Sequence, residues 1–168
     1  TVGIDSGFLT ERIYPLNDAE FTQNTISGSM AGIVIMTEGT DLFISKNTFA
    51  VAGLEAIGLE GNVTKSVICE NNISIFKGGI SVRGYFNSVT NNTITNLSAL
   101  AQAIDVRGDS NNVDHNTITN IEGDGIDVTG DSNNVDHNTI TNIEDDGISV
   151  TGDSNNVDHN TITNIEGD

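Results

Sequence analysis

From Gly108 the chain spells GDSNNVDHNTITNIEGDGIDVT, then starts the same phrase again at Gly130 and at Gly152. The period is 130 − 108 = 22 residues, and the copy Gly130 to Thr151 differs only where Gly123 becomes Asp145 and Asp127 becomes Ser149. A fixed period of about 20–50 residues means that one structural unit is stacked on the next. Within a copy the apolar residues Val113, Ile118, Ile121, Ile126 and Val128 form short alternating runs, separated by Gly108-Asp109-Ser110-Asn111 and Glu122-Gly123-Asp124-Gly125. Alternation of period two with turn residues between runs is strand chemistry, and this density of Asn, Asp, Gly and Thr opposes a helix. Each copy is therefore expected to form one turn of a β-solenoid.

The same register extends back through the non-identical half. An apolar residue, followed three positions later by Asn and five later by another apolar residue, occurs seven times, with the Asn at Asn24, Asn47, Asn71, Asn92, Asn116, Asn138 and Asn160. Between these lies a small residue followed by Ile, any residue and an apolar one, as in Gly32-Ile33-Val34-Ile35, Ala103-Ile104-Asp105-Val106 and Gly147-Ile148-Ser149-Val150. Its first occurrence is Gly3-Ile4-Asp5-Ser6. The expectation is an all-β, single-domain chain, residues 1–168, of about seven coils stacked at roughly 4.8 Å. A first coil, 1–31, carries an inserted loop around Phe8 to Leu16; varied coils fill 32–101; near-identical coils fill 102–168. Alternation sends Ile126 and Val128 inward and Asp127 outward. A primary amide both donates and accepts, so the seven Asn are expected to form a structural hydrogen-bonded ladder.

On these units, NxxVxxNTIxN and GIxV at a 22-residue spacing, the chain resembles the right-handed parallel β-helices of the pectate-lyase-like superfamily over nearly its whole length. The resemblance implies the handedness, in accord with the right-handed crossover preference. Its implications for function are broad, because that fold carries pectate and alginate lyases, C5-epimerases, glycoside hydrolases, phage tailspikes and proteins without catalysis. Lyases of the family use basic residues on a strand face, and its hydrolases use Asp/Glu pairs. No family catalytic motif transfers residue by residue, so no catalytic residue is assigned.

Charge narrows the partners. Six Lys+Arg against 24 Asp+Glu leave a net charge of −18, which repels nucleic acid and anionic membranes and attracts cations. Polyuronates would be repelled too unless metal ions intervene. There is no Trp, and Tyr14 and Tyr85 are the only tyrosines, so aromatic platforms for sugars are scarce. The single Cys69 excludes an internal disulfide, and the longest apolar run, Ala31 to Met36, is too short to span a bilayer. Thr1-Val2-Gly3 does not begin a signal peptide; an extracellular or cell-surface location is the expectation, with any signal removed.

Several rows are candidate sites. Arg83 and Arg107 occupy equivalent positions in adjacent coils, beside Asp105 and Asp127. Arg with paired carboxylates suits binding or hydrolysis of a saccharide, and equally an ion pair that offsets surface charge. Asp109, Asp131 and Asp153 align in the Gly-Asp-Ser-Asn turn, and Asp114, Asp136 and Asp158 align beside His115, His137 and His159. Carboxylates roughly 4.8 Å apart repel unless a hard cation such as Ca²⁺ bridges them, and the His row suits Zn²⁺, Ni²⁺ or Cu²⁺. Three functions follow, in order. The first is a structural, self-associating solenoid, a fibre subunit or repeat scaffold, whose coil edges stack head to tail. The second is a carbohydrate-active fragment working through the varied coils, and the third is a Ca²⁺-binding acidic repeat. No cofactor is required by any of them.

Overall fold

The computed structural model describes residues 15–28, 31–50, 53–74, 77–98 and 101–167. The Gly3-Ile4-Asp5-Ser6 unit and most of the inserted loop around Phe8 to Leu16 lie outside the described residues. The chain is a right-handed parallel β-solenoid with three sheets and, among the described residues, no helix.

One coil shows how the sequence makes the wall. Ile126–Thr129 runs along the first sheet, the Gly130-Asp131-Ser132-Asn133 turn leads to Asn134–Asp136 in the second, and His137-Asn138 bends the chain into Thr139–Ile143 of the third. Thr and Ile alternate in these strands and suit a half-buried pleated surface. The corners require left-handed backbone at non-glycine residues: Ser132, His137 and Asn142 have φ of 58°, 50° and 58°. Asn and His are among the residue types that enter this region most readily.

Coils pair in strict register. Ile104, Ile126 and Ile148 are neighbours, as are Val106, Val128 and Val150. Val113 sits under Val135, and Ile118 and Ile121 sit under Ile140 and Ile143. The result is one continuous apolar core in which Ile104, Val106, Val113, Ile118, Ile126, Val128, Val135 and Ile140 are fully buried. The outward residues of the same strands, Asp105 and Asp127, remain partly accessible, as alternation required. Among the described residues the second and third sheets each contain seven strands, and seven rungs enclose six complete turns. That is one fewer than a count of signatures suggests, because a signature at each end closes an interval instead of adding one.

The ladder Asn24–Asn47–Asn71–Asn92–Asn116–Asn138–Asn160 is present throughout. Each Nδ2 donates to the Oδ1 of the next Asn at 3.0 Å. The same Oδ1 also accepts the backbone N–H of the preceding ladder residue, at 2.9–3.0 Å. From Asn47 onward, the second Nδ2 hydrogen goes to a carbonyl one coil back, as from Asn116 to Val89. Side chains thus complete backbone pairing at a bend where strands cannot, which removes the penalty of burying an amide.

A second buried row lies at the previous corner: Ser66, Asn87, Asn111, Asn133 and Asn155, each side-chain oxygen accepting the backbone N–H one coil back. Beside it runs a column of glycines, Gly84, Gly108, Gly130 and Gly152, with φ of 145°, 135°, 140° and 127°. A Cβ at Gly130 would collide with the carbonyl oxygen of Gly108 beneath it, so both conformation and space demand glycine there.

Candidate functional site

The outer face of the first sheet carries a charged cluster where the varied coils meet the near-identical ones. Arg83 and Arg107 are register partners, as are Asp105 and Asp127, so the expected adjacency holds. Their ion pairs differ, however. Arg107 Nε lies 3.2 Å from both oxygens of Asp105 in its own strand, whereas Arg83 Nε lies 2.8 Å from Glu60 of the preceding coil. Asp127, without an Arg in its own coil, is held above the usual carboxylate range by burial and then by the neighbouring Asp105 and Asp124.

Two acidic residues that the sequence did not single out complete this cluster. Glu60 sits where strand Ile57–Thr64 loses simple register: Leu59 pairs with Val82, but Val63 pairs with Gly84, so residues 60–62 stand opposite Arg83 alone. Ser81 Oγ donates to Glu60 Oε1 at 2.8 Å. Glu55 lies over Gly58, where any side chain would displace its carboxylate. Burial, then the charge of Glu60, pushes the Glu55 carboxyl up to about 7, although Arg83 acts in the opposite direction. Glu55, Glu60, Ser81, Arg83 and Asp105 line a groove of about 320 Å³. It therefore contains one carboxyl that is half-protonated near neutrality and one paired with an Arg, two environments in a single depression.

The near-identical coils carry different rows. Asp109, Asp131 and Asp153 stack as expected in their turn, where Asp109 and Asp131 each accept the backbone N–H of the next Asp at 2.8 Å. These carboxylates cap the turn above, and the His row lies at a different corner. There His115, His137 and His159 stack with ring centroids 4.8 Å apart and planes within 10°. His115 Nδ1 is 2.8 Å from Asp114, His137 Nδ1 is 2.9 Å from Asp136, and His159 Nδ1 lies between Asp136 and Asp158 at 3.2 and 3.3 Å. Partial burial raises the Asp136 carboxyl, but hydrogen bonds from His137 and His159 outweigh it and hold the group below its usual value.

Two further features have no counterpart in the sequence reading. Asp124, Asp145 and Asp146 bring carboxylate oxygens within 4.8 Å of one another, and Asp124 accepts both the Asp146 N–H and the Gln102 amide. A groove of about 460 Å³ follows the corner after the third sheet, lined by Asn96, Asn120, Asn142 and Asn164 and by Glu122, Glu144 and Glu166.

Among known protein families, the one described as right handed beta helix region matches residues 102–168, the near-identical coils. No curated protein and no solved structure matches the chain.

Proposed function

We propose that this chain is a structural solenoid that extends by adding coils edge to edge. The observation that supports this most directly is the last rung. Val157 and Ile162 are 49% and 42% exposed, whereas Val135 and Ile140, the same positions one coil earlier, are 0% exposed. The strands Ile148–Thr151, Asn156–Asp158 and Thr161–Ile165 have neighbours on one side only. Another coil of the same period, from the same polypeptide or from another copy, covers that edge with the pairing already used six times. In the self-associating case the occupant is a second copy. Parallel register sets the two copies head to tail, so the contact propagates.

Each added interface would bury Val157 and Ile162 as Val135 and Ile140 are buried, about 1 kcal/mol apiece for half a side chain, besides a full set of backbone bonds. Against this stands the repulsion of two chains of −18 each, so association should strengthen with salt. Light scattering and electron microscopy of the purified chain at rising salt test the reading. Concentration-dependent rods are expected, and Val157→Lys with Ile162→Lys should return them to single chains with unchanged circular dichroism. A chain that stays monodisperse at all concentrations and salts, or a double variant that assembles equally well, overturns it.

The groove at Glu55, Glu60, Arg83 and Asp105 favours a second reading, that of a carbohydrate-handling face on the varied coils. A neutral glycan would meet hydrogen-bonding groups of both kinds there, with Glu55 able to give a proton and Glu60 and Asp105 each beside an Arg. Screening neutral oligosaccharides for binding and cleavage tests it. Activity abolished by Glu55→Gln supports the reading, and absence of both binding and cleavage ends it.

A further inference from the structure

We propose that the His115–His137–His159 corner is a binding site for a borderline divalent cation, Zn²⁺ or Ni²⁺, which bridges imidazoles of adjacent coils and takes an Asp carboxylate as a third ligand. Two overlapping triads, Asp114–His115–His137 and Asp136–His137–His159, each place three donor atoms within 4.8 Å. In the first, Asp114 Oδ1 is 2.8 Å from His115 Nδ1 and 3.9 Å from His137 Nδ1. In the second, Asp136 lies 2.9 Å from His137 Nδ1 and 3.2 Å from His159 Nδ1.

These separations suit a metal. Zinc–nitrogen and zinc–oxygen bonds of about 2.0–2.1 Å at a tetrahedral angle set donors roughly 3.3 Å apart, inside the range observed for the carboxylate edges. The two rings are one coil apart, 4.8 Å between centroids, and must tilt toward each other by roughly an ångström to share an ion. They are free to do so, because the side chains of His115 and His137 are about half exposed, at 54% and 47%. Their backbone is not free: His115, His137 and His159 occupy the same left-handed corner, with φ of 54°, 50° and 49°, flanked by the buried Asn ladder.

A second observation concerns Asp114 Oδ1. It is buried and makes no hydrogen bond, even though an imidazole nitrogen stands 2.8 Å away. The separation has the length of a hydrogen bond, yet the oxygen is left without a partner, an acceptor that a bound cation would satisfy. The donor set also selects the ion: two imidazoles and one carboxylate favour Zn²⁺, Ni²⁺ or Cu²⁺ over Ca²⁺ and Mg²⁺, which prefer all-oxygen shells. Binding requires neutral imidazoles, so it weakens as pH falls and releases any proton they carry.

Because His137 belongs to both triads and has one Nδ1, the two cannot be filled together through that atom. This yields a signature that diffuse attraction to an acidic surface lacks. Isothermal titration of the chain with ZnCl₂, in millimolar MgCl₂ to occupy nonspecific carboxylates, should show about one ion per chain. Asn adopts the left-handed corner as readily as His, so the variants are His→Asn and retain the fold. His137→Asn removes a ligand from both triads and should raise Kd at least about tenfold. His115→Asn and His159→Asn each leave one triad intact and should shift Kd by about twofold, the loss of one of two equivalent choices. The double variant His115→Asn/His159→Asn should match His137→Asn. Zinc binding unchanged in His137→Asn, or binding lost on addition of Mg²⁺, overturns the proposal.

Discussion

Replacing Asn116 by alanine tests whether the buried amide ladder holds the coils together or only decorates the bend. Asn116 Oδ1 accepts from both the backbone N–H and the Nδ2 of Asn92, each at 3.0 Å, while its own Nδ2 donates to Asn138 Oδ1 at 3.0 Å and to the Val89 carbonyl at 2.8 Å. Asn92 Nδ2 keeps its other acceptor, the Ile68 carbonyl, and Asn138 Oδ1 keeps the Asn116 backbone N–H. What is stranded is the Asn92 backbone N–H, buried and without an acceptor, at about 1–3 kcal/mol. Four further bonds are lost, among them the 3.2 Å contact of Asn116 Nδ2 with the Asp114 carbonyl, at about 1 kcal/mol each, which brings the expected cost to about 6 kcal/mol. The internal control is Asn134→Ala on the outer wall, where the amide donates to Asn112 and accepts from Asn156 in contact with water. Water replaces those partners, so a cost within about 1 kcal/mol is expected. Urea unfolding followed by circular dichroism gives the two differences, and hydrogen exchange of the Asn92 amide reports the local opening. If Asn116→Ala costs no more than Asn134→Ala, the buried ladder is not a principal source of cohesion and the reasoning fails.

Gly130→Ala should destabilise by about 2–6 kcal/mol, combining left-handed strain with a collision at the Gly108 carbonyl, and a thermal melt unchanged from the parent would contradict the demand for glycine in that column. Glu55 makes stability depend on pH with a definite sign: its folded-state value is raised from 4.5 to about 7, so its contribution is complete below pH 4.5 and is lost as pH rises through about 7. Melting temperature should therefore fall between pH 5 and 8, with a shallower fall in Glu55→Gln; identical slopes would show that the carboxyl is not buried as described. Burial, and next to it Glu70, raises the Cys69 thiol above its ordinary value, so its reaction with a disulfide reagent at pH 7 should be slower in the folded than in the urea-unfolded chain.

The architecture was legible because the core obeys one rule seven times. Ile118, Asn116 and Val113 recur at fixed offsets, and neighbouring coils can satisfy that pattern only by stacking in register. The second buried row was harder to see. Asn111 and Asn133 precede another Asn, so nothing in the letters distinguishes the inward amide from the outward one, and Ser66 takes the same position in a different residue type. The charged groove was hidden for another reason: Glu60 faces Arg83 only because residues 60–62 break the register, and an irregularity in one coil has no echo from which to infer it. Periodic reading finds what repeats, whereas chemistry in the varied coils depends on what does not. The His row shows the converse, since its alignment followed from the period but its pairing with Asp114 and Asp136 required side-chain geometry.

The amide ladders also give the rod a direction. In the first buried row every Nδ2–Oδ1 bond points from a lower coil to the next one up, as from Asn92 to Asn116, and in the second Asn87 donates up to Asn111. On the outside the vectors reverse, with Asn120 donating down to Asn96 and Asn134 down to Asn112. Aligned amide dipoles polarise one another along each file, and opposed files offset one another's fields along the axis. A coil added at the upper face must therefore offer an acceptor at the inner corner and a donor on the outer wall, and one threaded upside down would meet like against like at both.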